Sequence, residues 1–201
     1  MSAPAKSASS HSRADGIPPR QRILAVAGEL FYRHGIRAVG VESIAEAAGT
    51  NKMTLYRHFA SKDELVAEYL RQEAAKAEGW WAELTAQHAG DPLAQVRAWL
   101  AAMAAHVADC NSRGCALANA AVELPEKDHP ARAVIEESKR RQRGALIGLC
   151  AEAGLSEPEM LADEFLLLIE GARVTAQSMG ADGLDARLMR MSEALIAAHR
   201  V

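Results

Sequence analysis

The sequence predicts an all-α fold, and three observations lead to this prediction. From Ile17 onward, apolar residues recur at intervals of three and four, which is the spacing of one face of a helix. Glycine, proline and Asn/Asp clusters interrupt this pattern, and no stretch alternates with the two-residue period of a strand. The composition, 49% apolar and 24% charged over 201 residues, is typical of a globular protein and not of a disordered or fibrous one.

Residues 1–16 are small, polar and without pattern, so we expect a disordered tail. They lack the apolar stretch of a secretory signal, and no apolar run approaches the roughly 18 residues of a membrane span. The three cysteines are too few for a disulfide framework and suit a reducing compartment. We therefore expect a cytoplasmic protein without a membrane partner.

Three helices are predicted after the tail. The first ends at Gly35, because glycine readily adopts the left-handed conformation of a C-cap. A short second helix follows Gly40 and is broken at Gly49, and a short third helix covers about residues 52–58. The expected fold therefore begins with one longer helix and two short ones.

A long fourth helix is predicted to begin at Ser61, because Glu64 follows three residues later and the pair has the spacing of a capping box. This helix can run to about His88. Further breaks predict five more helices, over residues 92–110, 115–122, 131–153, 159–179 and 184–200.

Charge is distributed unevenly along the chain, whose total net charge is −3. Residues 1–62 hold nine Lys and Arg against four Asp and Glu, a net charge of +5. Residues 63–201 hold 14 basic and 22 acidic residues, a net charge of −8. A basic N-terminal part on an acidic body indicates a polyanionic partner for the basic part. Chance asymmetry is the alternative.

The two short helices, joined by a glycine turn and braced by the first helix, have the pattern of a helix-turn-helix module. In such a module the second short helix buries one side and offers its N-terminal end and outer face to the DNA major groove. Leu55 and Phe59 are spaced to face inward. The polar side chains expected near base edges or phosphates are those of Thr50, Asn51, Lys52, Thr54, Tyr56, Arg57, His58 and Lys62.

Three groups of residues carry a family resemblance. They are Ile23-Leu24-x-x-Ala27-x-x-Leu30-Phe31-x-x-x-Gly35, Val41-x-x-Ile44-Ala45-x-x-Ala48-Gly49 and Thr54-Leu55-Tyr56-x-x-Phe59-x-x-Lys62-x-x-Leu65. Together they resemble the DNA-binding domain of TetR-type transcriptional regulators, over about a quarter of the chain. The stretch 114–132 also looks like the effector domain of one group within that family, a looser match.

The resemblance implies DNA contacts for individual residues. Tyr56 and Lys62 would contact phosphates, and Ser43 and His58 would also touch the DNA backbone. Side chains expected to face base edges are Thr50, Asn51, Lys52 and Thr54, and Met53 is added because it occupies a place that a small residue often holds. Alternative roles are a core position for Tyr56, a solvated surface lysine for Lys62 and a helix cap for Thr50. Gly40 stands where many family members have Ser or Thr, so a phosphate contact from that side chain is absent.

The last two helices are apolar over more than one side, which indicates more than one partner surface. In the resembling family this helix pair forms a four-helix bundle with its copy, and we expect a homodimer of this kind. The predicted interface residues are Leu161, Phe165, Leu168, Ala172, Thr175, Leu188, Met191 and Leu195. A wholly internal core is the alternative.

An effector cavity is expected between the two helical layers, with apolar walls and a few polar groups. Its predicted lining is Trp81, Trp99, Met103, His106, Cys110, Cys115, Asn119 and Glu123. Core packing is the alternative for each of them. The spacing of His106, Cys110 and Cys115 also admits a metal or thiol sensor but matches no closed zinc site, so no metal or cofactor is expected.

The predicted organisation is a tail over residues 1–16, a helix-turn-helix DNA-binding domain over 17–65 and a helical ligand-binding and dimerisation domain over 66–201. The resemblance implies a dimeric repressor that binds a near-palindromic DNA operator and is released by a small-molecule effector. The alternatives are a helical enzyme and a protein-interaction adaptor, each with a vestigial DNA-binding head. No nucleophile–base set and no glycine-rich phosphate loop supports the enzyme.

Overall fold

The computed structural model describes residues 17–109 and 112–200, and these ranges form helices without a named strand. The predicted all-α fold is confirmed. The helices of the described chain are α1 (Pro19–His34), α2 (Val41–Ala47), α3 (Lys52–His58), α4 (Lys62–Gln87), α5 (Pro92–Ala108), α6 (Ala116–Glu123), α7 (Pro130–Glu152), α8 (Pro158–Met179) and α9 (Leu184–Ala198). The tail predicted over residues 1–16 and the side chain of Cys110 lie outside the described residues.

Local signals account for the helix ends. The hydroxyl of Ser61 accepts a hydrogen bond from the backbone N–H of Glu64 at 3.0 Å, and the Glu64 carboxylate accepts one from the N–H of Ala60 at 2.6 Å. The predicted start of α4 is therefore confirmed. The end of α1 at His34 also agrees, since Gly35 follows with a φ of 87°. No described helix combines the length and the apolarity that a membrane crossing requires.

The first hydrophobic core joins the N-terminal helices to the body. Ile23, Ile44 and Leu55 are fully buried where α1, α2, α3 and the start of α4 meet. The same cluster continues into α6 through Leu117 and into α7 through Ile135. The residues of the predicted DNA-binding domain therefore share one core with part of the body.

The second core is a bundle of α5, α7, α8 and α9 with the end of α4. Trp99, Leu146 and Phe165 are almost completely buried in it. The ring of Trp81 packs edge-on against Trp99 with 6.0 Å between centroids. This core forms most of the C-terminal body.

The body core corrects the predicted dimer interface. Leu161, Phe165, Ala172 and Leu188 are 8% exposed or less within a single chain, so they pack in the core of that chain and leave little surface for a second copy. Leu168, Thr175 and Leu195 are half-buried, and Met191 is exposed. The prediction included these four core positions because α8 is apolar on two sides, and its spacing does not reveal which side packs on α5, α7 and α9. Apolar side chains exposed on the opposite face of α8 are Met160, Leu167 and Val174.

Candidate nucleic-acid interface

The turn between α2 and α3 is tight and internally bonded. Gly49 has a φ of 61°, a conformation that side-chain-bearing residues rarely adopt. The N–H of Thr50 donates to the carbonyl of Ala45 at 2.9 Å. From α1, the Arg22 Nε donates to the carbonyl of Ala48 at 2.7 Å, at the end of α2. This bond ties α1 to the end of α2, and it could not be predicted from local pattern because it spans 26 residues.

Helix α3 has an inner and an outer side. Leu55 and Phe59 are buried, at 0% and 1% exposure, and attach the helix to the core. Met53 is 76% exposed and Tyr56 40% exposed, and Arg57 and His58 are exposed as well. The outer side therefore presents a phenol, a guanidinium, an imidazole and a thioether to the surroundings.

Two polar contacts order the N-terminal end of α3. The Oδ1 of Asn51 accepts a hydrogen bond from the N–H of Thr54 at 2.9 Å, so Asn51 is the N-cap. Arg57 Nη2 donates to the Thr54 hydroxyl at 2.7 Å. The alternative cap role considered for Thr50 is wrong, and Thr50 is partly buried in the turn. These bonds hold Thr54 and Arg57 in defined rotamers on the outer side.

Lys52 is paired with an acidic residue of α2. Its Nζ lies 2.6 Å from Oε1 of Glu42, and it also lies 6.0 Å from the centre of the Tyr56 ring. The hydrogen bond lowers the pKa of Glu42 and raises that of Lys52. Ser43 is exposed beside Glu42 on the same short helix. Glu42 is not among the predicted site residues, although an acid in the first turn of a short helix is a recognisable signal.

Lys62, predicted to contact a phosphate, also makes a contact within the fold. Its Nζ donates to the carbonyl of Ile36 at 2.7 Å and lies 6.0 Å from the centre of the Phe31 ring. Burial lowers the pKa of this half-buried lysine. The ammonium braces the loop between α1 and α2, because the loop carbonyl lies within reach of the first turn of α4. The contact of Lys62 with a DNA phosphate stays a prediction.

The predicted effector residues do not line one cavity. Trp81, Trp99 and Met103 belong to or pack against the body core, whereas Cys115 packs against the first core. Asn119 donates to the carbonyl of Arg113 at 2.7 Å. Helix α6 divides the set, because its buried side chains join the first core, with α4 and the start of α7, and not the core that holds Trp99.

Glu123 likewise serves the N-terminal part, since its carboxylate accepts a hydrogen bond from the N–H of Arg37 at 3.1 Å. His106 faces the Ser112 hydroxyl at 2.9 Å. Among residues 17–109 and 112–200, no three His, Cys, Asp or Glu side chains are grouped to hold a metal ion. The expected single pocket is therefore corrected to separate cavities, of which His106 lines two.

One of these cavities is an open groove of about 500 Å³ where α1, α4 and α6 meet. Its walls include Tyr32, Tyr69 and Cys115, with Glu73 and Lys76 at the side of α4. Burial raises the pKa of the Tyr69 hydroxyl well above its usual range. The groove therefore combines aromatic surface with a few charged groups.

Comparison with known proteins adds to this geometry. Residues 23–69 match the model of the family described as bacterial regulatory proteins, tetR family. Over 52 residues the chain is 46% identical to the HTH-type transcriptional repressor KstR2 of Mycobacterium tuberculosis, and the match covers 26% of each chain. It is 35% identical over 78 residues to the HTH-type transcriptional regulator AcrR of Shigella flexneri, covering 39% of this chain and 36% of that one. These matches span only about a quarter to a little over a third of the relatives' length.

The whole described fold is similar to solved structures. SCO4454, a TetR-family transcriptional regulator from Streptomyces coelicolor, superposes with a TM-score of 0.85 at 24% identity, covering 91% of this chain and 96% of that chain. A chain from Streptomyces avermitilis described as a TetR-type regulator gives 0.80 at 29% identity, covering 91% and 98%. The family match lies on the helix-turn-helix of residues 23–69, and the structural match shows that the described chain as a whole has the fold of these TetR-family structures.

Proposed function

We propose that this chain is a transcriptional regulator that binds operator DNA as a homodimer and is released by a small-molecule effector. The observation that carries the proposal is the outer side of α3. Met53 and Tyr56 are exposed there, and the described residues offer the Tyr56 hydroxyl no hydrogen-bond partner. The fold itself does not require these groups on this side, whereas a DNA major groove offers partners for them.

On DNA, the proposed roles follow from where each group lies. Thr54, held by Asn51 and Arg57, faces base edges from the first turn of α3. Tyr56 donates its hydroxyl to a phosphate, and His58 contacts the backbone at the end of the helix. Lys52 exchanges its Glu42 partner for a phosphate or a guanine acceptor. The net charge of +5 over residues 1–62 favours such an approach.

The proposed dimer uses the outer face of α8. Met160, Leu167 and Val174 are 55%, 75% and 65% exposed, and Met191 on α9 is 49% exposed. Large apolar side chains exposed together mark a protein contact more often than isolated ones do. A two-fold axis through this face would place two α3 helices about one DNA turn apart, roughly 34–36 Å, on a near-palindromic site.

The proposed effector acts between the DNA-binding helices and the body. The groove of about 500 Å³ is bounded by α1 on one side and by α4 and α6 on the other. A molecule that prefers one arrangement of these helices shifts the population toward it and changes the spacing of the two α3 helices. A coupling of about 1–3 kcal/mol is enough for a several-fold to hundredfold change in DNA affinity.

The test is to select genomic DNA fragments with the purified chain at two salt concentrations and to sequence those recovered. We expect one near-palindromic site whose binding weakens steeply with salt, because Lys and Arg displace counterions from phosphates. The Tyr56→Ala variant should recover the site poorly, and Trp80→Ala, on the surface of α4 in the body, serves as the matched control. The wild-type chain is also purified under denaturing conditions and refolded, which removes bound ligand. If this refolded chain enriches no site, the proposal is overturned.

A further inference from the structure

The loop between α5 and α6 is hydrogen-bonded through Arg113 to helices α1, α6 and α8. The backbone N–H of Arg113 donates to the Tyr32 hydroxyl at 2.8 Å, and its Nη1 donates to the Tyr32 carbonyl at 2.9 Å. Its own carbonyl accepts hydrogen bonds from Asn119 of α6 at 2.7 Å and from Gln177 of α8 at 2.8 Å. Movement of this loop therefore moves the end of α1.

Behind this loop lies a cavity of about 330 Å³, separate from the groove described above. Its polar lining comprises His106, Asp109, Ser112, Arg173 and Gln177, and apolar or small residues such as Ala176 form the rest of its wall. Gly114 packs so closely that a Cβ atom there would lie 2.9 Å from Gln177 Nε2. The volume is at the lower end of the range of small-molecule sites, roughly 300–1,000 Å³.

Arg173 is the unusual group of this cavity. Its side chain is only 11% exposed. Nη1 donates to Glu170 at 3.0 Å, but Nη2 has only the sulfur of Met103 at 3.4 Å, and the buried Nε has no partner among the described residues. A thioether is a weak acceptor, and a buried N–H without a partner is costly. One edge of this guanidinium is therefore poorly satisfied.

Two other arginines show what this edge binds in the same protein. Arg97 donates from Nε and Nη2 to the two carboxylate oxygens of Glu193 at 2.8 and 2.9 Å. Arg143 does the same to Asp163 at 2.6 and 2.9 Å. The planar fork of the guanidinium matches a carboxylate in this geometry. The same edge of Arg173 is buried and covered by the Met103 thioether, and no carboxylate of the described chain occupies it.

The local charge also favours an anion. Glu170 accepts hydrogen bonds from both Lys139, at 2.7 Å, and Arg173, so one carboxylate serves two cations. Burial alone would raise the pKa of Glu170, but these two cations lower it, so the carboxylate is ionised and the cluster keeps a net positive charge. Asp109 also lines the cavity, but it is exposed, and water screens its charge more than that of buried Arg173.

We propose that this cavity binds a small organic acid, whose carboxylate displaces the Met103 thioether and pairs with Nε and Nη2 of Arg173. Met103 can give way because its unbranched side chain changes rotamer easily. The Ser112 hydroxyl and Gln177 lie in the same wall and orient the rest of the ligand. Ser112 belongs to the loop that holds α1, and Gln177 is hydrogen-bonded to that loop. A ligand bound in the cavity therefore changes how the loop holds α1. This regulatory part rests on the proposed DNA-binding function.

The test uses the full chain with acetate, hexanoate, benzoate and salicylate, each compared with its neutral amide, by thermal shift and calorimetric titration. We expect at least one acid to bind and to raise the melting temperature, while its amide does not. Arg173→Lys keeps the charge but lacks the fork, and it should weaken binding about tenfold or more. Arg143→Lys, whose fork already faces Asp163, is the matched control and should bind as the wild type does.

A second variant keeps the test decisive if Arg173→Lys fails to fold. Ala176→Leu narrows the cavity while Arg173 stays in place, and it should also abolish binding. The proposal is overturned if no acid in the panel binds, or if acids and amides bind equally. It is also overturned if Arg173→Lys binds as the wild type does. Inorganic phosphate is tested in parallel, and the proposal also fails if phosphate is the only Arg173-dependent ligand. Binding without any change in affinity for the selected DNA overturns the regulatory part alone. Failure of the DNA-binding proposal is seen separately, as loss of fragment enrichment without any acid.

Discussion

Glu42 and Lys52 form an ion pair of 2.6 Å between α2 and α3, and both side chains are more than half exposed. A lysine on the face proposed to meet DNA is therefore already neutralised by a residue of the same module. A phosphate must compete with Glu42 for this lysine. The pair thus limits the DNA affinity that Lys52 can supply.

Replacing Glu42 with Gln is expected to tighten DNA binding by roughly two- to fivefold at low salt, in keeping with the small energy of an exposed ion pair. The substitution frees Lys52 and removes a negative charge near the phosphates. Fluorescence anisotropy with a selected DNA fragment measures the change. In a Lys52→Ala background the same substitution should have a smaller effect, and equal effects in both backgrounds would contradict the explanation.

Removing the hydroxyl of Tyr56 tests its proposed phosphate contact. Tyr56→Phe should weaken DNA binding by roughly two- to tenfold, the equivalent of one hydrogen bond. The thermal midpoint should not change, because this hydroxyl has no partner in the described fold. Anisotropy and a thermal melt on the same preparation check both statements, and unchanged DNA affinity would rule out the contact.

Arg113 should stabilise the fold by capping α1. The guanidinium donates to the carbonyls of Tyr32 and Arg33 at the C-terminal end of the helix, where a positive charge is also favoured by the helix dipole. We expect Arg113→Ala to cost about 1 kcal/mol of unfolding free energy in urea titrations. Arg33→Ala, which loses only an exposed pair with Glu29, is the control and should change stability by less than about 0.5 kcal/mol.

The outer face of α8 should control assembly. Leu167→Asp introduces a charge at a side chain that is 75% exposed in one chain, and we expect a dimer to dissociate because burial of an unpaired charge is costly. Analytical ultracentrifugation should show the mass falling by half. Val122→Asp, at an isolated apolar side chain on α6 that is 84% exposed, should leave the mass unchanged. A wild-type chain that sediments as a monomer at all concentrations would contradict the dimer.

Cys150 should be chemically inert in the native protein. Burial raises the pKa of its thiol to about 11, so the reactive thiolate is scarce at pH 8. Iodoacetamide should label the Cys150 peptide slowly compared with the half-buried Cys115, and unfolding in urea should remove the difference. Because an unfolded thiol ionises near pH ~8.5, this group contributes stability that is present below that pH and is lost as the pH rises toward 11. Equal labelling in both states would disprove the burial.

Much of the fold could be predicted because helix ends depend on nearby residues. Gly35 ends α1, Gly49 makes the turn, and Ser61 with Glu64 begins α4, each within a few residues of the signal. The inward positions of Leu55 and Phe59 follow from the same periodicity, as does the outward direction of Tyr56. These features require only backbone geometry and side-chain size within one or two helical turns.

The contact partners of several side chains could not be predicted from local patterns. Lys62 reaches the Ile36 carbonyl across 26 residues, and Glu123 reaches Arg37 across 86 residues. The effector residues predicted for one pocket separate because α6 packs on the N-terminal core and α5 on the body core. No local pattern reports such contacts, since they depend on which helices become neighbours.

Helix α8 shows which features follow from the sequence and which depend on tertiary packing. Its amino-acid order makes it a helix with apolar residues on two sides, and this follows from periodicity alone. Whether Phe165 or Leu167 is buried depends on the positions of α5, α7 and α9, which cover the first and leave the second exposed. Burial is a property of the packed helices together, because the free energy gained by covering an apolar side chain is realised only when distant segments meet around it.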